Sequence, residues 1–137
     1  MAKYLVIGSK GTLGNEFRKM LGDEGVYLDK NQLDITSQEL VMQKIAELKP
    51  EVVINCAAYN AVDKAEQEPD VANLINGEAV GYIAKAAESI GATLIHYSTN
   101  YVFKGDNQAG YTEDSPTDPQ SEYGKSKLMG ENAALEN

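Results

Sequence analysis

Four short apolar runs, "KYLVIG", "VYLD", "EVVINCAA" and "ATLIHYS", alternate along this chain with segments of helical period. That order restricts the fold more than any other feature. Strands separated by helices must run parallel, because each crossover helix returns the chain to the same end of the sheet, and such crossovers are right-handed. The first run, Lys3 to Gly8, lacks polar alternation, which is the mark of a strand covered on both faces. Between Thr12 and Leu21 the apolar residues Leu13, Phe17, Met20 and Leu21 recur three and four apart, and "GDEG" ends that helix. The segment "DITSQELVMQKIAELKP" carries Ile35, Leu40, Val41, Ile45 and Leu48 at the same period, with Thr36 or Ser37 as cap and Pro50 past its end. A long helical stretch from about Val62 to Ser89, interrupted near Pro69, precedes the fourth strand, and "SEYGKSKLMGENAALE" closes as a helix. The expected fold is α/β, a doubly wound parallel sheet of the Rossmann type, in one domain over residues 1–137.

The polar residues matter because ligands of such sheets bind beyond the carboxyl ends of the strands. After the first strand comes "GSKGTLG", with Gly8, Gly11 and Gly14 three apart, and then a helix. Glycine here permits a tight turn, close approach of a pyrophosphate, and contact of helix with strand. The helix amino terminus adds N–H groups and positive potential. Gly8, Lys10, Gly11, Thr12, Leu13 and Gly14 are therefore nucleotide-binding candidates. Asp29 ends the second strand, where an acid can accept hydrogen bonds from an adenosine ribose and favours NAD; the plainer reading is a solvated turn residue. Lys10 and Lys30 could instead neutralise a 2′-phosphate and favour NADP, so either cofactor is admitted. Asp34 and Ile35, just beyond, are further cofactor-contact candidates.

"YGKSK" places Tyr123 and Lys127 on one helix face. A tyrosine of ordinary pKa about 10 transfers a proton near neutrality only if a neighbouring cation favours its phenolate, and Lys127 can supply one. Gly124 inside that helix costs about 1 kcal/mol relative to alanine, which predicts that something approaches the backbone closely there. At the tip of the fourth strand, Thr99 is placed to bind a carbonyl that Tyr123 protonates, and strand alternation would let only one of Ser98 and Thr99 face it. Ala57 and Ala58, small residues after the third strand, let a flat cofactor lie against the backbone. Cys56 is expected as a small core residue and His96 as a strand residue with a satisfied ring. Neither has metal-ligand company, so no metal site is expected. The loop "TEDSPTDPQS" has the length and composition of a lid.

Charge and cysteine content narrow the partners. A net charge of -9 over 137 residues argues against sequence-independent binding to nucleic acid or to an anionic membrane. No apolar run approaches the roughly 18 to 20 residues of a membrane span. A single cysteine and an amino terminus without a signal pattern suit the cytoplasm.

Taken together, "GxxGxxG", "NCAAYNAVDKAE", "STNYVF" and "YGKSKLMGE" resemble the extended short-chain dehydrogenase/reductases, and within them the dTDP-4-dehydrorhamnose reductases. The resemblance covers essentially the whole chain. It implies that the glycine loop holds a pyrophosphate, that Ala57, Ala58 and Tyr59 line the cofactor, and that Thr99, Tyr123 and Lys127 form a catalytic triad. It further implies hydride transfer from NADPH or NADH to the C4 ketone of a dTDP-sugar, with Ser98 and Asn100 on the substrate side. Asn100 stands where the family has aspartate, and Asn60 where threonine is common; the lost charge bears on substrate electrostatics more than on hydride transfer. Family members continue into a sugar-nucleotide lobe, so residues 1–137 are expected to be the cofactor-binding part. An apolar edge at the fourth strand then predicts a homo-oligomer or a missing carboxyl-terminal segment as partner. Two other readings share the motifs: a catalytically silent, NAD(P)-binding regulatory subunit, and a sugar-nucleotide epimerase or dehydratase.

Overall fold

The computed structural model describes residues 2–137. Four parallel strands, β1 (Tyr4–Ile7), β2 (Gly25–Leu28), β3 (Val52–Asn55) and β4 (Thr93–His96), form one sheet in the order β2-β1-β3-β4. The register pairs Leu5 with Val26 and Val53, and Val53 with Leu94. These residues share one face because side chains alternate along a strand. Leu5 and Val53 are buried in a single cluster with Leu33, Val41, Ile45 and Ile83, and the partly buried Val26 and Leu94 pack against it. The helices supplying that cover are α2 (Gln38–Leu48) and α5 (Ala79–Ser89), which lie against each other. Val6 and Ile54 point to the opposite face and are also buried, and α1 (Thr12–Leu21) packs there on β1 and β2. The sheet is therefore doubly wound, a Rossmann-type arrangement.

Local chemistry explains where the helices begin and end. Ser37 caps α2 by accepting from the Leu40 N–H, and Lys49 closes it in the left-handed region at φ 47° ahead of Pro50. Thr36, the other cap candidate, instead donates to Asp34 at 2.7 Å. The stretch expected as one interrupted helix is α3 (Val62–Ala65), a break, then α4 (Pro69–Asn73) running through a π turn (Leu74–Glu78) into α5. Pro69 sits at the first position of α4, where its missing N–H costs nothing. The π turn had no signature in the periodicity, and it is where α6 (Glu122–Leu135) makes its most extensive contact.

The strands are shorter than the apolar runs. β3 stops at Asn55, so Cys56, Ala57 and Ala58 extend beyond the sheet, and β4 stops at His96, so Tyr97 to Thr99 do too. Strand alternation consequently does not decide between Ser98 and Thr99, correcting that expectation. Among the described residues no helix is long and apolar enough to cross a membrane.

Candidate active site

The strand order reverses direction between β1 and β3, and two clefts meet over that point. The larger, about 590 Å³, is lined by the glycine loop, by Asp29, Lys30, Asp34 and Ile35 after β2, and by Cys56, Ala57 and Ala58. The smaller, about 280 Å³, is lined by Gly11, Thr12 and Leu13, by Asn55 and Tyr97, and by Ser98, Tyr123 and Lys127. Gly11, Cys56, Ala57, Ala58 and Asn60 border both. Beyond the carboxyl ends of parallel strands, at a reversal in strand order, a doubly wound sheet leaves a crevice for its ligand.

The three glycines have separable roles. Gly8 adopts φ +79°, and a Cβ there would lie 2.6 Å from the Ala57 nitrogen, so this turn and the β3 end can approach only with glycine. Gly14 faces the turn from inside α1, where a Cβ would lie 2.7 Å from the Ser9 Cα. Gly11 is different: a Cβ would meet only the Gly8 carbonyl, at 3.4 Å. Open space therefore lies over Gly11, at the first turn of α1, which no side chain caps. An anionic pyrophosphate fits that place, held by backbone N–H groups and the helix dipole.

At the far end of the larger cleft, Asp29 is held by its own turn. Its Oδ1 accepts from the N–H groups of Asn31 and Gln32 at 2.8 and 3.1 Å, and its Oδ2 pairs with the Lys10 ammonium at 2.5 Å. The Lys10 bond is the main reason that the Asp29 carboxyl titrates below its usual range. Asp29 is thus a buried turn anchor as well as a cleft residue, and it faces a cation that the glycine loop presents. Asp34 accepts from the Thr36 N–H and hydroxyl, which lowers its pKa, and Ile35 is buried in the cleft wall.

The smaller cleft brings together Tyr123 and Lys127, one turn apart on α6. Lys127 is buried, and burial pulls its pKa down from the ordinary lysine value; its Nζ donates to the Tyr97 carbonyl at 2.6 Å. Tyr123 packs edge-on against Tyr101, with ring centroids 5.6 Å apart. Gly124 admits the approach that its position in the helix predicts: a Cβ would lie 2.5 Å from the Tyr101 carbonyl oxygen. The Thr99 hydroxyl caps the following 3-10 turn, Asn100–Val102, by accepting from the Tyr101 N–H, and Thr99 is outside the residues lining the cleft. Ser98 lines it, and its hydroxyl donates to Glu131 at 2.7 Å. Asn100 is exposed beside Thr99. Tyr59 is not in either wall: its hydroxyl donates to Glu68 at 2.8 Å, turning the ring toward Ala65, Ala72 and Tyr123.

Two single residues differ from expectation. Cys56 is half-buried in the walls of both clefts rather than in the core, and burial raises its pKa to about 11. His96 is only half satisfied. The Asn55 amide oxygen accepts from the Ala57 N–H, so its NH₂ donates to His96 Nδ1 at 3.2 Å. The ring proton then sits on Nε2, which is buried without a partner.

Sequence reasoning missed Asn76. It is fully buried in the π turn, where its side chain accepts from the Tyr59 N–H and donates to the Tyr59 carbonyl and to Ser126. Ser126 in turn donates to the Tyr123 carbonyl at 2.7 Å. One amide thereby ties the loop after β3 to the helix bearing Tyr123 and Lys127. A polar residue interrupting an apolar helix stretch was the available signal.

Among the described residues no group of three or more His, Cys, Asp and Glu side chains could hold a metal ion. A doubly wound sheet with a glycine loop at the reversal of its strand order defines the class of dinucleotide-binding folds, and here a cleft containing a tyrosine and a lysine adjoins that loop. Within that class the chain belongs to the family described as "RmlD substrate binding domain", which it matches over residues 2–137. It is 44% identical to the dTDP-4-dehydrorhamnose reductase of Streptomyces griseus, over 98% of this chain and 45% of that protein. It is 42% identical to the spore coat polysaccharide biosynthesis protein SpsK of Bacillus subtilis, over 96% of this chain and 47% of that one. The chain spans about half the length of the curated relatives it matches. The structure of the Bacillus anthracis dTDP-4-dehydrorhamnose reductase in complex with NADP superposes with a TM-score of 0.94, at 39% identity, covering 99% of this chain and 50% of that chain.

Proposed function

We propose that this chain is the dinucleotide-binding part of an NADPH- or NADH-dependent reductase acting on the C4 ketone of dTDP-4-dehydrorhamnose. One observation carries the reading: the two clefts adjoin over Gly11 at the strand-order reversal, and the smaller one contains Tyr123 and Lys127. Relatives of 44% identity named for that reaction, and one of 39% identity solved with NADP, support the choice of substrate and cofactor.

In this reading the larger cleft takes the adenosine end. Asp29 and Lys10 face its ribose, with Asp34 and Ile35 alongside, and Ala57 and Ala58 support the dinucleotide where the clefts join. Gly8, Gly11, Thr12, Leu13 and Gly14 hold the pyrophosphate. When bound, the reduced dinucleotide supplies the hydride. Tyr123 gives its phenolic proton to the developing alkoxide oxygen, and the Lys127 ammonium one turn away offsets the negative charge left on the phenol oxygen. Lys127 keeps two N–H donors beyond the one given to Tyr97, enough for a ribose hydroxyl. Thr99 orients the carbonyl, with Ser98 and Asn100 on the substrate side. For Thr99 this requires its one hydroxyl proton to turn from the Asn100 Oδ1, to which it donates at 3.5 Å, toward the substrate while the oxygen still accepts from the Tyr101 N–H. Tyr59 serves through its backbone, fixed by Asn76, rather than through its ring.

The sugar-nucleotide lobe of the family lies outside residues 1–137 in this proposal, and the cytoplasm is its setting. Association with a second copy or with a further polypeptide segment covers β4. The test is loss of reduced-cofactor absorbance on addition of dTDP-4-dehydrorhamnose. Tyr123→Phe should cut turnover at least about 100-fold, the scale of positioned acid catalysis, with cofactor affinity kept within a few fold. Equal loss of turnover and affinity would show that Tyr123 has another role.

A further inference from the structure

The segment Tyr97–Thr99 has no strand partner, because β4 ends at His96, yet it carries the carbonyl that holds Lys127 and the proposed carbonyl-binding hydroxyl. Two bonds from α6 grip it. The Lys127 ammonium donates to the Tyr97 carbonyl at 2.6 Å, and one turn further on Glu131 accepts from the Ser98 hydroxyl at 2.7 Å. Tyr123, Lys127 and Glu131 are spaced four apart, so they lie along one face of the helix, about 12 Å from first to last at 1.5 Å per residue.

The two bonds differ in kind. Lys127 grips the backbone, but its position there is only as firm as the segment it grips, and its stem is the longest flexible chain in the cleft. Glu131 is half-buried and makes a charge-assisted bond to the next residue, which fixes the segment against the helix without entering the cleft wall. We propose that Glu131 is a positioning residue: through Ser98 it holds the Tyr97 carbonyl in register with Lys127, and so aims the ammonium at the nicotinamide ribose. This deepens the proposed function and rests on its assignment of the smaller cleft to that ribose.

The assignment predicts an effect confined to one half of the ligand. Titration calorimetry with NADPH would report both clefts, and with ADP only the larger one. Glu131→Ala should weaken NADPH about tenfold, the scale of one charge-assisted hydrogen bond, and leave ADP within about twofold. Ser98→Ala should reproduce that loss, and the double variant should lose no more than either single one, because the two residues act as a unit. Glu131→Gln, which retains an acceptor oxygen, should restore NADPH binding to within about threefold of the parent.

A residue that merely stabilises α6 would weaken both ligands or neither, and either result overturns the positioning role, as does additivity of the two single changes. If Glu131→Ala does not fold, the exposed Ser98→Ala carries the same comparison. A parent chain that binds neither ligand would sink the functional reading and this inference with it. A parent chain that binds both, with variants unchanged, overturns the inference alone.

Discussion

At the residue scale, burial decides the behaviour of groups that look alike in the sequence. His96 is the one histidine, and burial together with the nearby Lys127 ammonium lowers its pKa to about 4. In the unfolded chain its value returns to about 6.5. Between those values the unfolded state binds the extra proton, so stability rises with pH across this window and is lost as pH falls from 6.5 toward 4. Urea unfolding of the parent at stepped pH should show that slope, and His96→Gln should flatten it between pH 6.5 and 4.5. A slope unchanged by the substitution would assign the acid sensitivity to carboxylates instead. Asp29 is shifted the same way by a different cause, also invisible in sequence: Lys10, well separated along the chain, is its hydrogen-bonded ion-pair partner and holds the carboxyl below its usual range against the effect of burial.

At the element scale, the contact between α6 and the π turn is the junction on which the site depends. A Cβ on Gly130 would run into the Asn76 backbone carbonyl, and Gly77 is covered by the Met129 side chain. Gly130→Ala gains about 1 kcal/mol of helix propensity but must separate the two elements, which costs about 1–3 kcal/mol. The expected net result is a lower unfolding midpoint, and a raised midpoint would mean that α6 tolerates the shift. Asn76→Leu removes three hydrogen bonds and leaves the part-buried Tyr59 N–H without its partner. A loss of about 2–4 kcal/mol is expected in chemical unfolding, on the scale of buried unsatisfied groups. Both substitutions lie outside the clefts, yet each should also weaken NADPH binding, since Asn76 joins the Tyr59 loop to the Tyr123 helix.

At the scale of the whole molecule, the sheet is covered unequally. On one face α2 and α5 bury Leu5, Val53 and their neighbours; on the other Ile54 is buried, but Ile95 beside it on β4 is 39% exposed, as is Tyr97. An unpaired strand with an apolar side chain beside it invites another strand. Sedimentation at micromolar concentration should detect association, and Ile95→Lys should reduce it; a monomeric parent would show that the edge is tolerated in solution. The element order was legible because apolar runs and helical period survive in any sequence of this fold, and order alone implied a parallel doubly wound sheet. The glycine loop was legible too, since its residue types answer to local backbone geometry. Tyr123 and Lys127 could be paired because a helix brings residues four apart together. What only the tertiary structure decided were relations between distant segments: the Lys10–Asp29 pair, the turn of Tyr59 toward Glu68, the Asn76 bridge across α6, and the Ser98–Glu131 contact. Local pattern records the forces that act within a few residues, whereas these contacts arise from packing of elements whose separation along the chain leaves no periodic trace.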